Sequence, residues 1–156
     1  MSEWTDMDDP FTPEWIQREQ ALRESDSLRR EAERATERAA NLLIKANGPL
    51  FGKGVLSILE ASVKALPKLG MNGSINQTGT ASRVYINKPG SVARFSHTDV
   101  FLETFGIRCN VFGGGCYELR YCAITDSEIG VIGNAAPMDQ EQVAEHILRF
   151  MMRRIE

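Results

Sequence analysis

The stretch that most constrains this chain is Ile107 to Ile124, IRCNVFGGGCYELRYCAI, two runs of strand-forming residues joined at three consecutive glycines. Closed through a three-residue loop, Gly113 to Gly115, the runs set Val111 opposite Tyr117, Cys109 opposite Leu119 and Ile107 opposite Tyr121. One face is then almost wholly apolar, while Arg108, Asn110, Phe112, Cys116, Glu118, Arg120 and Cys122 share the other. An even-length loop would set apolar residues against polar ones, so the pattern selects an odd loop with a glycine free to take positive φ.

A two-stranded hairpin is not stable alone, and the rest of the chain must supply a core. The chain has 156 residues, 42% apolar and 25% charged, which suits one domain that folds without a partner. Before Pro13, MSEWTDMDDPFT is acidic and aperiodic, so residues 1–12 read as a flexible tail whose Trp4 and Phe11 either dock on the domain or form a short recognition motif. Thr12-Pro13-Glu14 is a helix start. Over 13–46 the small and apolar residues recur as Ala21, Leu28, Ala35 and Leu42 beside Ser25, Ala32, Ala39 and Ala46, an alanine-rich coiled-coil seam about 50 Å long at 1.5 Å per residue. The seam buries little area per turn, so this helix needs a surface to lean on, either its own domain or a second copy.

Asn47-Gly48-Pro49 reads as a helix stop. A second amphipathic helix over 50–66 follows, with Phe51, Val55, Ile58, Leu59, Val63 and Leu66 on one side. Residues 67–82, PKLGMNGSINQTGTAS, show no period and read as a long glycine-bearing loop. Arg83–Asn87 and Val92–Ser96 form a hairpin about Pro89-Gly90, while residues 98–105 fit a capped helix or a strand equally. After the central hairpin, 128–134 makes a short strand, and Asp139 with Gln142 starts a final helix on the capping-box pattern. Its buried stripe is Val143, Ala144, Ile147, Leu148, Met151 and Ile155. The fold class is α+β: an antiparallel sheet of about five strands, roofed by the second and last helices, in a domain spanning 47–156.

Chemistry is harder to find. Cys116 follows the triple glycine, with His97 and Asp99 as distant candidates for base and orienting acid, but no spacing brings them together. No CxxC or HxxxH spacing supports a metal, and neither Gly113-Gly114-Gly115 nor Gly52-Lys53-Gly54 has a phosphate loop's remaining positions. No cofactor is implied. No apolar run approaches the roughly 18–20 residues of a membrane span and the first residues are acidic, so the expectation is a cytoplasmic chain with reduced thiols.

Charge is uneven. Residues 47–96 hold six basic side chains against Glu60 alone, although the whole chain is at −3. Lys64, Lys68, Arg83, Lys88 and Arg94, interleaved with Tyr85 and Phe95, could follow a phosphate backbone, and Lys68, Arg83, Tyr85, Lys88 and Arg94 are the candidate binding residues. The leading functional expectation is a non-enzymatic adaptor or inhibitor that scaffolds or occludes a protein partner and self-associates. Nucleic-acid or polyanion binding comes second, and cysteine chemistry at Cys116 third.

Overall fold

The computed structural model describes residues 11–90, 92 and 94–156. In chain order the elements are helix α1 (Glu14–Ala65), a 3-10 turn (Leu66–Leu69), strands β1 (Asn72–Thr78), β2 (Ala81–Lys88), β3 (Arg94–Glu103), β4 (Gly106–Val111), β5 (Gly115–Ala123) and β6 (Ile129–Val131), and helix α2 (Gln140–Ile155). The strands form one antiparallel meander in the order β1-β2-β3-β4-β5-β6. This is the α+β architecture expected, with six strands rather than about five. The first ten residues, with Trp4, lie outside the described residues.

The helix stop at Asn47-Gly48-Pro49 is not used. Helix α1 runs through Pro49, and what overrides the local signal is packing. Gly48 is buried, and a Cβ there would meet the Tyr121 ring at 3.1 Å. One turn on, a Cβ on Gly52 would meet Leu102 at 2.9 Å and the Tyr121 hydroxyl at 3.1 Å. The two glycines therefore form a notch that lets the helix backbone close on the sheet. Gly48 serves close approach, not a left-handed cap, and Pro49 sits on the exposed side.

From Ile44 onward α1 contributes Ile44, Phe51, Val55, Leu59 and Val63 to the core, and the Phe51 ring meets Tyr121 edge-on at 5.5 Å. Helix α2 begins with both halves of the capping box: Asp139 accepts from the Gln142 N–H, and the Gln142 side chain accepts from the Asp139 N–H. The Gln140 amide donates to the Phe51 carbonyl at 3.2 Å and ties the two helices together. All six residues of the expected stripe are buried. Beneath the helices lie Val84, Ile86, Val100, Ile107, Cys109, Val111, Leu119, Tyr121 and Val131, all from alternate positions of the sheet.

The central hairpin keeps its predicted faces but not its predicted register. Val111 pairs with Gly115, Cys109 with Tyr117 and Ile107 with Leu119, two residues from the expected alignment. The loop is Phe112-Gly113-Gly114, still three residues, so parity and hence the apolar face are preserved. Phe112 leaves the ladder because its ring stacks on His97 at 4.8 Å while its N–H donates to the His97 carbonyl. Gly113 and Gly115 take φ of 71° and 83°, and Gly114 lies under the Arg154 guanidinium.

Residues 67–82 are not a structureless loop. The chain turns at Gly70, φ 74°, runs as β1, turns again at Gly79, φ 64°, and enters β2. The ambiguous 98–105 segment is strand: β3 continues to Glu103 and turns at Thr104-Phe105 into β4.

The chain divides into two units, Met1–Ala39 and Ala40–Glu156. In the first unit every α1 residue is exposed, and its pairs, such as Arg23 to Glu19 at 3.2 Å, are surface ion pairs worth a few tenths of a kcal/mol each. Because α1 is unbroken, it contains a window of 18 residues with mean hydropathy 1.2 and at most two charges, long and apolar enough to cross a membrane by length and composition, contrary to the sequence expectation. A third of that window is buried in the fold.

Because α1 runs through Pro49, Pro49→Ala restores a helical N–H on the exposed side. It is expected to raise stability by about 1–3 kcal/mol in urea unfolding. Gly48→Val, which fills the notch, is expected to lower it by about 1–3 kcal/mol. A destabilising Pro49→Ala would return Pro49 to the first turn of a separate helix.

Candidate functional site: the open face of the sheet

Both helices cover the same face. The other face carries Tyr85, Phe95, His97, Asp99, Phe101, Arg108, Asn110, Cys116, Glu118 and Arg120. Strand alternation puts them there, and the pairings Arg83↔Asp99, Asp99↔Asn110 and Asn110↔Cys116 make one row across four strands.

At one end of this face is an aromatic cluster. Tyr85 and Phe95 stack with ring centres 6.1 Å apart, Phe95 and Phe112 likewise at 6.1 Å, and Phe112 covers His97. Phe95 is 51% exposed and Phe112 58% exposed. Two phenyl rings half in water, Phe95 on β3 and Phe112 in the turn after β4, stack on one another and form a contiguous apolar patch rather than scattered surface residues.

Charges occupy the rest of the face in compensated sets. Arg83 holds Asp99 in a two-point contact, Nε to Oδ1 at 2.8 Å and Nη2 to Oδ2 at 3.1 Å. That hydrogen bonding keeps the Asp99 carboxyl below the usual carboxylate range. The pair's contribution to stability is therefore present at neutral pH and fades as pH falls through the lowered pKa. Arg108 lies 4.0 Å over the Phe101 ring, with its Nε 3.4 Å from Glu103, and is paired across the ladder with Glu118. With Arg120, three basic and three acidic side chains share the face and cancel.

The five expected binding residues do not form one patch. Arg83 and Tyr85 lie on the open face, with Arg83 committed to Asp99. Lys88 and Arg94 face each other across β2 and β3, have the parity of the helix-covered face, and are exposed at the end of the sheet. Lys68 is exposed in the 3-10 turn leading into β1, at that same end. Phe95, His97 and Phe112 are the residues that complete the aromatic cluster. Phe95 was legible in the sequence beside Tyr85 on the first hairpin; His97 shares its parity two residues on, and Phe112 stands beside the glycines. Arg154 also reaches this end of the sheet, over Gly114, and no pattern in the sequence links it there.

The thiol reading loses its geometry. Cys116 is exposed on β5, but His97 is on β3, two strands away or roughly 10 Å by strand spacing, with its ring against Phe112. Cys109 is buried, and burial pushes its thiol up to about 12, so it is a packing residue. Among the described residues no cluster of His, Cys, Asp or Glu has the grouping to hold a metal.

Comparison with known proteins yields no match to a family model, a curated protein or a solved structure.

Proposed function

We propose that this chain is a non-catalytic interaction module, acting in the cytoplasm as a scaffold or an occluding inhibitor, whose open sheet face docks a protein partner. The observation that carries the reading is the asymmetry of the sheet: one face is roofed by α1 and α2, while the other presents Phe95 and Phe112 half-exposed within a charge-compensated surround. Aromatic anchors ringed by paired polar groups suit a protein surface, because burial there strands no unpaired charge. Self-association is supported by the first unit of α1, whose exposed Leu22 and Leu28 and alanine seam have no partner among the described residues.

The double variant Phe95→Ser/Phe112→Ser removes the two exposed rings and leaves the core untouched. Its melting temperature is expected to stay within a few degrees of the parent. Affinity capture from the native host is expected to lose the bands that the parent retains, by at least ten-fold in quantitative mass spectrometry. Equal recovery with both baits would end the reading.

One observation favours polyanion binding as a second reading. Lys88 and Arg94 are like charges directly opposite one another, a mildly unfavourable arrangement that an anion would relieve, and Arg154 lies at the same end of the sheet. Retention on an oligonucleotide column should then fall steeply between 50 and 200 mM salt as an order-of-magnitude range. It should be lost in Lys88→Ala/Arg94→Ala and kept in Arg83→Ala, whose guanidinium is already paired. No retention at low salt removes this reading.

A further inference from the structure

The two edges of the sheet are treated differently. At β6 the edge is three residues long and its outer side is taken: the Val131 N–H donates to the Met138 carbonyl at 2.9 Å, and the Met138 N–H returns to Val131 at 2.7 Å. At the other edge β1 is seven residues long and pairs with β2 residue for residue from Asn72↔Asn87 to Thr78↔Ala81, with no bulge. No backbone hydrogen bond joins its outer side to any described residue outside the sheet.

Sheet edges are ordinarily protected by charge, proline, a bulge or brevity. None of these protects β1. Residues 69–82, LGMNGSINQTGTAS, contain no charged residue and no proline, in a chain that is 25% charged. Beside the edge runs a groove, floored by Ile75 and Gln77 of β1 and walled by Leu56, Ser57 and Glu60 of α1, so an added strand would find apolar contact for its helix-side residues. Glu60 is already paired with Lys64 at 3.6 Å and brings no uncompensated charge.

We propose that β1 is a strand-addition site and that its occupant is β1 of a second copy of this chain, paired antiparallel about a two-fold axis at Ile75. Such an axis sets every residue against its mirror position, and a charged edge would there repel itself. This edge is self-complementary. Ile75 meets Ile75 of the copy on the helix side, where each is half-buried against its own core. Gly73 meets Gln77 on the same side, and on the open side Ser74 meets Asn76 and Asn72 meets Thr78, hydroxyls and amides that can bond in either direction. The pairing joins two six-stranded sheets into one and satisfies the outward amides of both copies. It goes beyond the docking reading and does not use Phe95 or Phe112.

The test is made on the full chain with Ser74→Lys/Asn76→Lys, two exposed positions whose side chains leave the core alone. In the paired form these put four lysines together across the axis. Sedimentation is expected to show the parent at twice the particle mass of the lysine variant, with unchanged circular dichroism. Ser74→Glu/Asn76→Glu should likewise be halved in mass, and an equal mixture of the two variants should recover the parent mass, which only direct contact of 74 with 76 across the axis explains. The inference is overturned if the parent and the lysine variant have the same mass, if the mixture does not recover, or if the occupant captured along β1 is an extended segment of another protein. Association that survives the lysines would belong to the seam of α1, and host-protein capture at Phe95 and Phe112 is read separately, so failure here is distinguishable from failure of the docking reading.

Discussion

The close approach of α1 to the sheet at Gly48 and Gly52 is the contact on which the other placements depend. With no Cβ at either position, the helix backbone settles onto Tyr121 and Leu102, and the following turns deliver Val55, Leu59 and Val63 onto the apolar side of the strands. That depth leaves room beside α1 for α2, which Gln140 links to the Phe51 carbonyl. Helix breaking by Pro49 would cost about 3 kcal/mol in an isolated helix, a sum that burial of two or three large side chains offsets. A local rule loses here to a tertiary one, and the reason is a matter of magnitude.

The same seal explains why the open face matters. Both helices are spent on one side of the sheet, and no described helix covers the other. The open side must therefore be tolerable in water, and most of it is: Arg83 with Asp99 and Arg108 with Glu103 form polar, mutually satisfied sets. Phe95 and Phe112 depart from that economy. Phe112 is held by His97 on one side, but both rings still leave about half of their surface in water, and that patch, unlike the paired charges around it, is what a docking partner would cover.

Much of this was legible in the residues. The alternation in Ile107–Ile124 fixed which side chains share a face, and the capping box fixed the start of α2, because both signals are local and the core reinforces them. The register of the hairpin slipped by two because Phe112 is held by His97 on a neighbouring strand, a contact no short-range pattern contains. Strand β1 was hidden for a different reason. As an edge strand it buries one side only partly, with Ile75 as its one large apolar residue, so it reads as polar loop until β2 is there to pair with it. The candidate site divided in the same way: Arg83 and Tyr85 lie on the open face, whereas Lys88 and Arg94 have the opposite parity, and the partner that neutralises Arg83 is sixteen residues away in sequence.

The central claim is that one face of this sheet is closed and the other is open. Solvent paramagnetic relaxation in NMR, with a soluble gadolinium chelate and labelled methyl and aromatic groups, tests it most directly. The account predicts that the methyls of Val55, Val84, Ile86 and Val100 are untouched while the rings of Phe95 and Phe112 broaden strongly. Broadening of the Val84 and Ile86 methyls, with Phe95 and Phe112 protected, would contradict it.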